Sequence, residues 1–559
     1  MKWIKYTCLT VAVGSMAVAA QAAPVIDKPA VLTDAMLSLT VSDLHGFIDE
    51  AGMVAAKVSP MINGMMIKQM IGGQLGDPML AGVSPGKGLA VVALDTTNFF
   101  AVVEVAEGQS AAYARAIGNM GMQSKYANGL LVLAQTPEQL AKGSALAGRV
   151  QAKLLAKRSP TLRVSAQPAA LIERNNDALQ GFLQMMPAMM GASLMQAPGT
   201  DPKTVNDTTK LLEGEMRVLL SLCSQCESGE LVLASKNGSI QLSETFVPKA
   251  GSRLAALIES PKTATKNPAI QSRLLDEGMV MADFAMGSPE AMADFVNAEA
   301  DILLKAMKIE EVDLAALTGV VTKWMKLYSG SACETFSFDA ESGMSINYLL
   351  EVADLPAALE LLKSMEKDMA PFVKLYENMG MPMQLAFREK VREHKGIPIH
   401  RLDMKISMEE MPADQQAQMA ALKLDELGYD IALFDGMMLY TMGATKIETL
   451  IDRVKAGGTV EPIQARAVYP EGGCYYLDFD VGGYVEMIGA FLPEGAKGPM
   501  LPQIMALMQG VDPITSAGFR QEGRAMWSVN IPGDLIGKLG QFAMMMQMQQ
   551  MQQQGMPIQ

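Results

Sequence analysis

The sequence predicts an α+β protein of antiparallel sheets with packed helices, internally duplicated into two similar halves. The chain repeats itself. Asn128-Gly129 and the apolar run 130–134 lead into Thr136-Pro137-Glu138, much as Asp435-Gly436 and the run 437–440 lead into Thr445-Lys446-Ile447-Glu448. Upstream, Val102-Val103-Glu104-Val105-Ala106 is answered by Leu349-Leu350-Glu351-Val352-Ala353. Self-similarity at a long period marks a duplicated unit. Short apolar or alternating runs are also joined by hairpin signals and interleaved with stretches of 3.6-residue spacing. Strands paired by hairpins between helices imply antiparallel sheets rather than a doubly wound parallel one.

The first element is a leader. Lys2 and Lys5 precede a short apolar run at 8–20, and Ala20-Gln21-Ala22 is a small-residue cleavage site. Residues 1–22 therefore read as a secretory signal peptide. The expected destination is the periplasm, the exterior or the cell envelope of a bacterium. No later stretch offers about eighteen uninterrupted apolar residues, so no transmembrane segment is expected in the mature chain.

Four strands then feed helices through a Ser, Asp, Gly or Pro: 36–41 into 43–48, 162–164 into 168–172, 279–284 into 288–292, and 474–479 into 483–488. Four hairpins accompany them, turning at 95–98, 236–238, 341–343 and 521–523, and each is followed by another helix. The first half spans 23–262, with units at about 31–150 and 160–260. The second spans 268–543, with units at about 276–457 and 466–543. A Lys/Thr/Pro stretch at 260–268 reads as the linker. The third unit carries an insertion at about 363–427, holding a hairpin that turns at His394-Lys395-Gly396 and a Met-rich helical segment. Residues 544–559 form a Met/Gln-rich tail whose first turns extend the preceding helix.

Composition narrows the function classes. The net charge is −14, or about −16 once Lys2 and Lys5 leave with the leader. That balance disfavours nucleic acid, a polyanion, as a partner. A hydrophobic content of 49% argues against disorder, and the length suggests two to four domains.

The phrasing Val391-Arg392-Glu393-His394-Lys395-Gly396-Ile397-Pro398-Ile399-His400, followed by Tyr429-Asp430-Ile431-Ala432, Asp435-Gly436 and Ile447-Glu448-Thr449-Leu450, resembles an uncharacterised family of exported bacterial α+β proteins. The resemblance implies an extracytoplasmic α+β protein and carries over no catalytic residue.

Four cysteines remain after processing: Cys223, Cys226, Cys333 and Cys474. Export favours disulfides, and four cysteines allow three connectivities. The plainest joins Cys223 to Cys226 and Cys333 to Cys474. A redox-active reading of Cys223-Ser224-Gln225-Cys226 needs the first thiol at a helix N-terminus, whereas this motif follows a helical run and faces partial negative charge. The 47 methionines, including Met61, Met65, Met66 and Met70 at helical spacing, are expected to fill cores. An apolar binding surface and a Cu(I) site are the alternatives. Of three histidines, His394 is expected in a solvated turn, His400 in a surface ion cluster with Arg401 and Asp403, and His45 in a capping or surface role. Gly82-Val83-Ser84-Pro85-Gly86 matches G-x-S-x-G, but Pro85 lacks the N–H an oxyanion hole requires and a strand follows.

No catalytic, cofactor or metal residue is assigned. The expectation is an exported, non-enzymatic scaffold or binding module of the envelope, taking an apolar ligand or a protein partner, with a groove between helices and sheet or a cleft between the halves. The alternative is a periplasmic copper or thiol-redox protein using the methionine clusters and Cys223/Cys226. A hydrolase comes third.

Overall fold

The computed structural model describes residues 28–559 except 60, 195–201, 237, 261–277, 286–287, 307–313, 340–342, 379–382, 407–425, 444, 458–462, 471, 492–500 and 554–559. The leader, the linker and the Met-rich helical segment of the insertion thus lie outside the described residues. The first half begins with β1 (Leu37–Val41), α1 (Leu44–Val58), α2 (Gly64–Gln74), β2 (Leu89–Ala93) and β3 (Phe99–Glu104). It continues through α3 (Glu107–Asn119), β4 (Gln123–Ala127), β5 (Leu130–Ala134), α4 (Pro137–Lys153) and β6 (Thr161–Ala166). It closes with α5 (Pro168–Leu194), α6 (Pro202–Ser224), β7 (Cys226–Lys236), β8 (Ser239–Pro248) and α7 (Arg253–Glu259).

The second half opens with β9 (Val280–Ala285), α8 (Pro289–Ala306), α9 (Leu314–Leu327), β10 (Tyr328–Asp339) and β11 (Gly343–Val352). Next come α10 (Leu355–Lys363), α11 (Met365–Asp368), α12 (Ala370–Asn378), β12 (Met383–His394), β13 (Ile397–Ile406), β14 (Glu426–Phe434) and β15 (Met437–Gly443). The chain ends through α13 (Ile447–Ala456), α14 (Gln464–Val468), β16 (Tyr475–Phe479), α15 (Val481–Phe491), α16 (Leu501–Met508), β17 (Ile514–Gln521), β18 (Arg524–Ile531) and α17 (Gly533–Gln553). The predicted tail is therefore helical well past residue 544.

All eighteen strands form one sheet. Its order is β4-β5-β3-β2-β1-β6-β7-β8-β18-β17-β16-β9-β10-β11-β15-β14-β13-β12, and every neighbouring pair is antiparallel. Read outward from the β8–β18 pair, one side gives β8-β7-β6-β1-β2-β3-β5-β4. The other gives β18-β17-β16-β9-β10-β11-β15-β14, with β13 and β12 added beyond it. This corrects the expectation of separate sheets with a cleft between halves. Each half would leave a bare edge at β8 or β18, and pairing the two edges satisfies both rows of backbone groups.

The junction has its own symmetry. Pro248 and Pro532 close the two strands at matching points. With that alignment the register pairs Ser243–Ser528 and Glu244–Trp527 exchange with each other, as a two-fold relation requires. The Ser243 and Ser528 hydroxyls hydrogen-bond at 2.7 Å.

Turn chemistry sets the local registers. Asn128-Gly129, Lys395-Gly396, Asp435-Gly436 and Glu522-Gly523 each have positive φ at both residues, as two-residue hairpins of right-handed twist demand. A buried glutamate marks the end of both β3 and β11. Glu104 accepts from the Gly88 N–H at 3.0 Å, and Glu351 from the Ser331 N–H at 2.7 Å. Gly88 directly precedes β2, and Ser331 lies where the β10–β11 register shifts.

Helices cover both faces. In the first half α4 packs on Val92, Phe100 and Val132 on one face, while α1 and α3 bury Val41 and Leu131 on the other. In the second half α13 covers Leu349 and Leu439, and α10 covers Leu350 and Met438.

Candidate functional site

Exposed large apolar side chains cluster on the outer surface of α1 and α2. Asp43 starts α1 by accepting from the Gly46 N–H at 3.1 Å, and Asn63 starts α2 by accepting from the Met66 N–H at 3.0 Å. Leu44 and Ile48 turn α1 into the core. The two helices then touch through backbone: a Cβ at Gly52 would sit 2.2 Å from the Gly64 nitrogen. Asp49 and Lys68 bridge them at 2.7 Å.

That contact leaves the other side of α2 with nothing above it among the described residues. Met61 is 83% exposed, Met65 59% and Met70 64%; Met53, Ile62, Met66, Ile71 and Met79 are exposed as well. Lys68 is the only charged residue of α2, and Asp49 holds it. The surface is thus rich in exposed apolar side chains, and its shallow groove of about 400 Å³ is lined by Met53, Ala56 and Met65 together with Asn63 and the exposed, Lys68-paired Asp49. These methionines were expected in a core, and the structure corrects that. Helical spacing shows that a face is apolar, not that anything covers it. Methionine does fill cores elsewhere, as at Met279, Met292, Met438 and Met487.

A third helix, α17, packs against the end of α1. Gly533, Gly537 and Gly540 place one side of α17 against Lys57 and Val58 of α1, and a Cβ at Gly540 would meet Val58 Cα at 2.5 Å. Leu539, Met544 and Met546 of α17 are exposed. The neighbouring loop is rigidly held. His45 Nε2 lies 2.6 Å from Val83 O and 3.1 Å from Leu80 O. Asp77 accepts from the Gly82 N–H at 2.7 Å and the Tyr113 hydroxyl at 2.8 Å. Burial alone would raise the Asp77 carboxyl, but these donors hold it below its ordinary value. Ser84 of the G-x-S-x-G match belongs to this loop, ahead of β2 and without a following helix.

The other predicted residues are dispersed. Cys223 ends α6 and Cys226 opens β7, so the C-x-x-C motif sits at a helix C-terminus. Both thiols are half-buried and unbridged. The Cys226 thiol lies 3.4 Å from Leu222 O, and burial, with Cys223 and Glu244 nearby, pushes it up to about 12. Such a thiol is a poor nucleophile at neutral pH. Cys333 and Cys474 are buried in separate cores. β9 runs between their strands, a separation of about 9–10 Å before any stagger. A disulfide needs Cα atoms within about 7 Å, so this fold cannot join Cys333 to Cys474.

The histidine expectations are corrected too. His394 meets Asp452 at 2.7 Å rather than open solvent. His400 is buried and stacked on Phe387. Strand alternation points it to the face of Leu402, while Arg401 pairs with Asp403 and Asp430 on the opposite side.

Sequence reasoning missed one titratable cluster. Glu334 of β10 is buried, accepts from the Tyr348 hydroxyl, and is raised by burial to about 7. Tyr348 stacks on Tyr440 at 4.6 Å, and Tyr429 meets Tyr440 edge-on. Only the register of β10, β11, β14 and β15 brings these residues together. Among the described residues no three His, Cys, Asp or Glu side chains converge as metal ligands. No helix among them is long and apolar enough to cross a membrane. Compared with protein-family profiles, curated proteins and solved structures, the chain matches none of them.

Proposed function

We propose that this chain is an exported, non-enzymatic binding module of the bacterial envelope, and that the methionine-rich surface of α1 and α2 receives an apolar partner. One observation carries the reading: Met65 and Met70 stand open on a helix whose single charge is already paired, and Met61 stands open in the turn just before it. Exposed apolar patches of this kind mark interaction surfaces, and methionine adapts its shape to varied apolar partners. The matching strand order on the two sides of β8–β18 supports reading the halves as products of a duplication. In that reading, α1 with α2 and α8 with α9 are counterparts.

Binding of an uncharged apolar fluorophore such as N-phenylnaphthylamine tests the proposal. Met65→Glu with Met70→Glu should weaken binding by about ten-fold or more, because a glutamate on the patch must be desolvated. Unchanged affinity in the folded variant would sink the reading.

Open thioethers also suit Cu(I). Met65→Leu with Met70→Leu separates the two readings. It keeps the apolar surface and removes the sulfur, so fluorophore binding persists under the first reading and Cu(I) affinity falls under the second.

A further inference from the structure

Arg520 is a buried cation with two of its three nitrogens unpartnered. It lies on β17 beneath α7, is 4% exposed, and sits beside an apolar core that includes Leu254, Phe295 and Tyr475. Nη1 donates to Leu257 O at 2.8 Å and to Ile258 O at 3.5 Å. Those carbonyls belong to the last turn of α7, where partial negative charge favours a cation. The contact fixes the guanidinium plane and occupies one nitrogen. Nε and Nη2 are buried without any hydrogen-bond partner. A guanidinium stays charged when buried, and an unmatched buried charge is costly. The unfilled pair has a specific shape, since Nε and Nη2 form the side edge that meets the two oxygens of a carboxylate through parallel hydrogen bonds.

The surroundings define what carries that carboxylate. Gly518 faces Trp527 across the β17–β18 ladder, so Arg520, two residues on, shares the sheet face of Trp527 as its diagonal neighbour. Trp527 is 42% exposed, so this face reaches solvent one diagonal step from Arg520. Ala525, directly opposite Arg520, adds little bulk. Glu244 of β8 stands opposite Trp527 on this face, and the single cation of Arg520 matches one added negative charge. A dianionic phosphate would leave a second charge unpaired.

We propose that Nε and Nη2 of Arg520 form a recognition point for the carboxylate of an apolar monocarboxylate, whose hydrocarbon part lies against Trp527 and the core beneath α7. The site is independent of the methionine surface.

Calorimetric titration of the mature chain with dodecanoate and with dodecanol, both below their aggregation limits, tests it. Dodecanoate should bind saturably and about ten-fold or more tighter than the alcohol, reflecting two charge-assisted hydrogen bonds. Arg520→Lys keeps the charge without the fork, and Arg520→Met replaces it with an apolar side chain. Whichever of them folds by circular dichroism should lose the preference for the acid and keep the weaker affinity for the alcohol. Met65→Glu with Met70→Glu should leave the preference intact, which separates failure here from failure of the methionine surface. Equal affinity for acid and alcohol, no saturable dodecanoate binding by the folded wild type, or an undiminished preference in a folded Arg520 variant would each overturn the proposal.

Discussion

At the scale of single residues, Glu334 makes the clearest prediction. Its carboxyl is raised by burial to about 7, and its neighbours are Tyr348 and Tyr440, themselves flanked by Tyr429 and Tyr328. A raised folded value means that the native state holds the proton more tightly than the unfolded chain does. The contribution is therefore fully present below the ordinary carboxyl value and is lost as pH rises through about 7. Urea unfolding should show stability falling by about 3 kcal/mol between mildly acidic and mildly alkaline pH. Glu334→Gln should flatten that slope, and a variant with the wild-type slope would remove Glu334 as its source. The cysteines give a second outcome. Peptide mapping of unreduced protein should yield no peptide linking Cys333 to Cys474, because β9 separates their strands. The burial of His400 could have been read from its alternation with Leu402, but its charged neighbours Arg401 and Asp403 drew it to the surface. Glu334 could not be anticipated, since its partners come from strands far apart in the chain.

Among elements, the turns were the most legible. Asn128-Gly129, Lys395-Gly396 and Asp435-Gly436 announce their hairpins because the required positive φ is a local property. The strand-to-helix steps at β1, β6, β9 and β16 follow from local patterning in the same way. What covers a helix is not local. The apolar spacing at Met61, Met65 and Met70 gave no sign that the face would be left open. Glycines likewise divide by their surroundings. Gly540→Ala should destabilise the protein by about 1 kcal/mol, since the clash with Val58 outweighs the gain in helix propensity. Gly148→Ala on the exposed side of α4, where nothing lies within 4 Å, should stabilise by up to about 1 kcal/mol. Thermal denaturation of both variants checks the contrast, and a shift of the same sign in both would contradict this account of how α17 seats on α1.

For the molecule as a whole, the repeat in the sequence raised the expectation of two similar halves but said nothing of how strands far apart in the chain would join. A repeated motif concerns local pattern, whereas the β8–β18 pairing is a long-range choice of edge that neither strand encodes alone. That pairing makes one sheet of eighteen strands. It also brings the C-terminal helix α17 across to α1, beside the methionine surface. The placement of the candidate site therefore rests on this junction. The most direct measurement is a cross-link through it: Ser243→Cys with Ser528→Cys, made with Cys223 and Cys226 replaced by serine. The native hydroxyls lie 2.7 Å apart. Mild oxidation of the folded protein should join the two cysteines nearly completely, as a single linked peptide by mass spectrometry. Two unlinked thiols in protein that remains folded would contradict the continuous sheet.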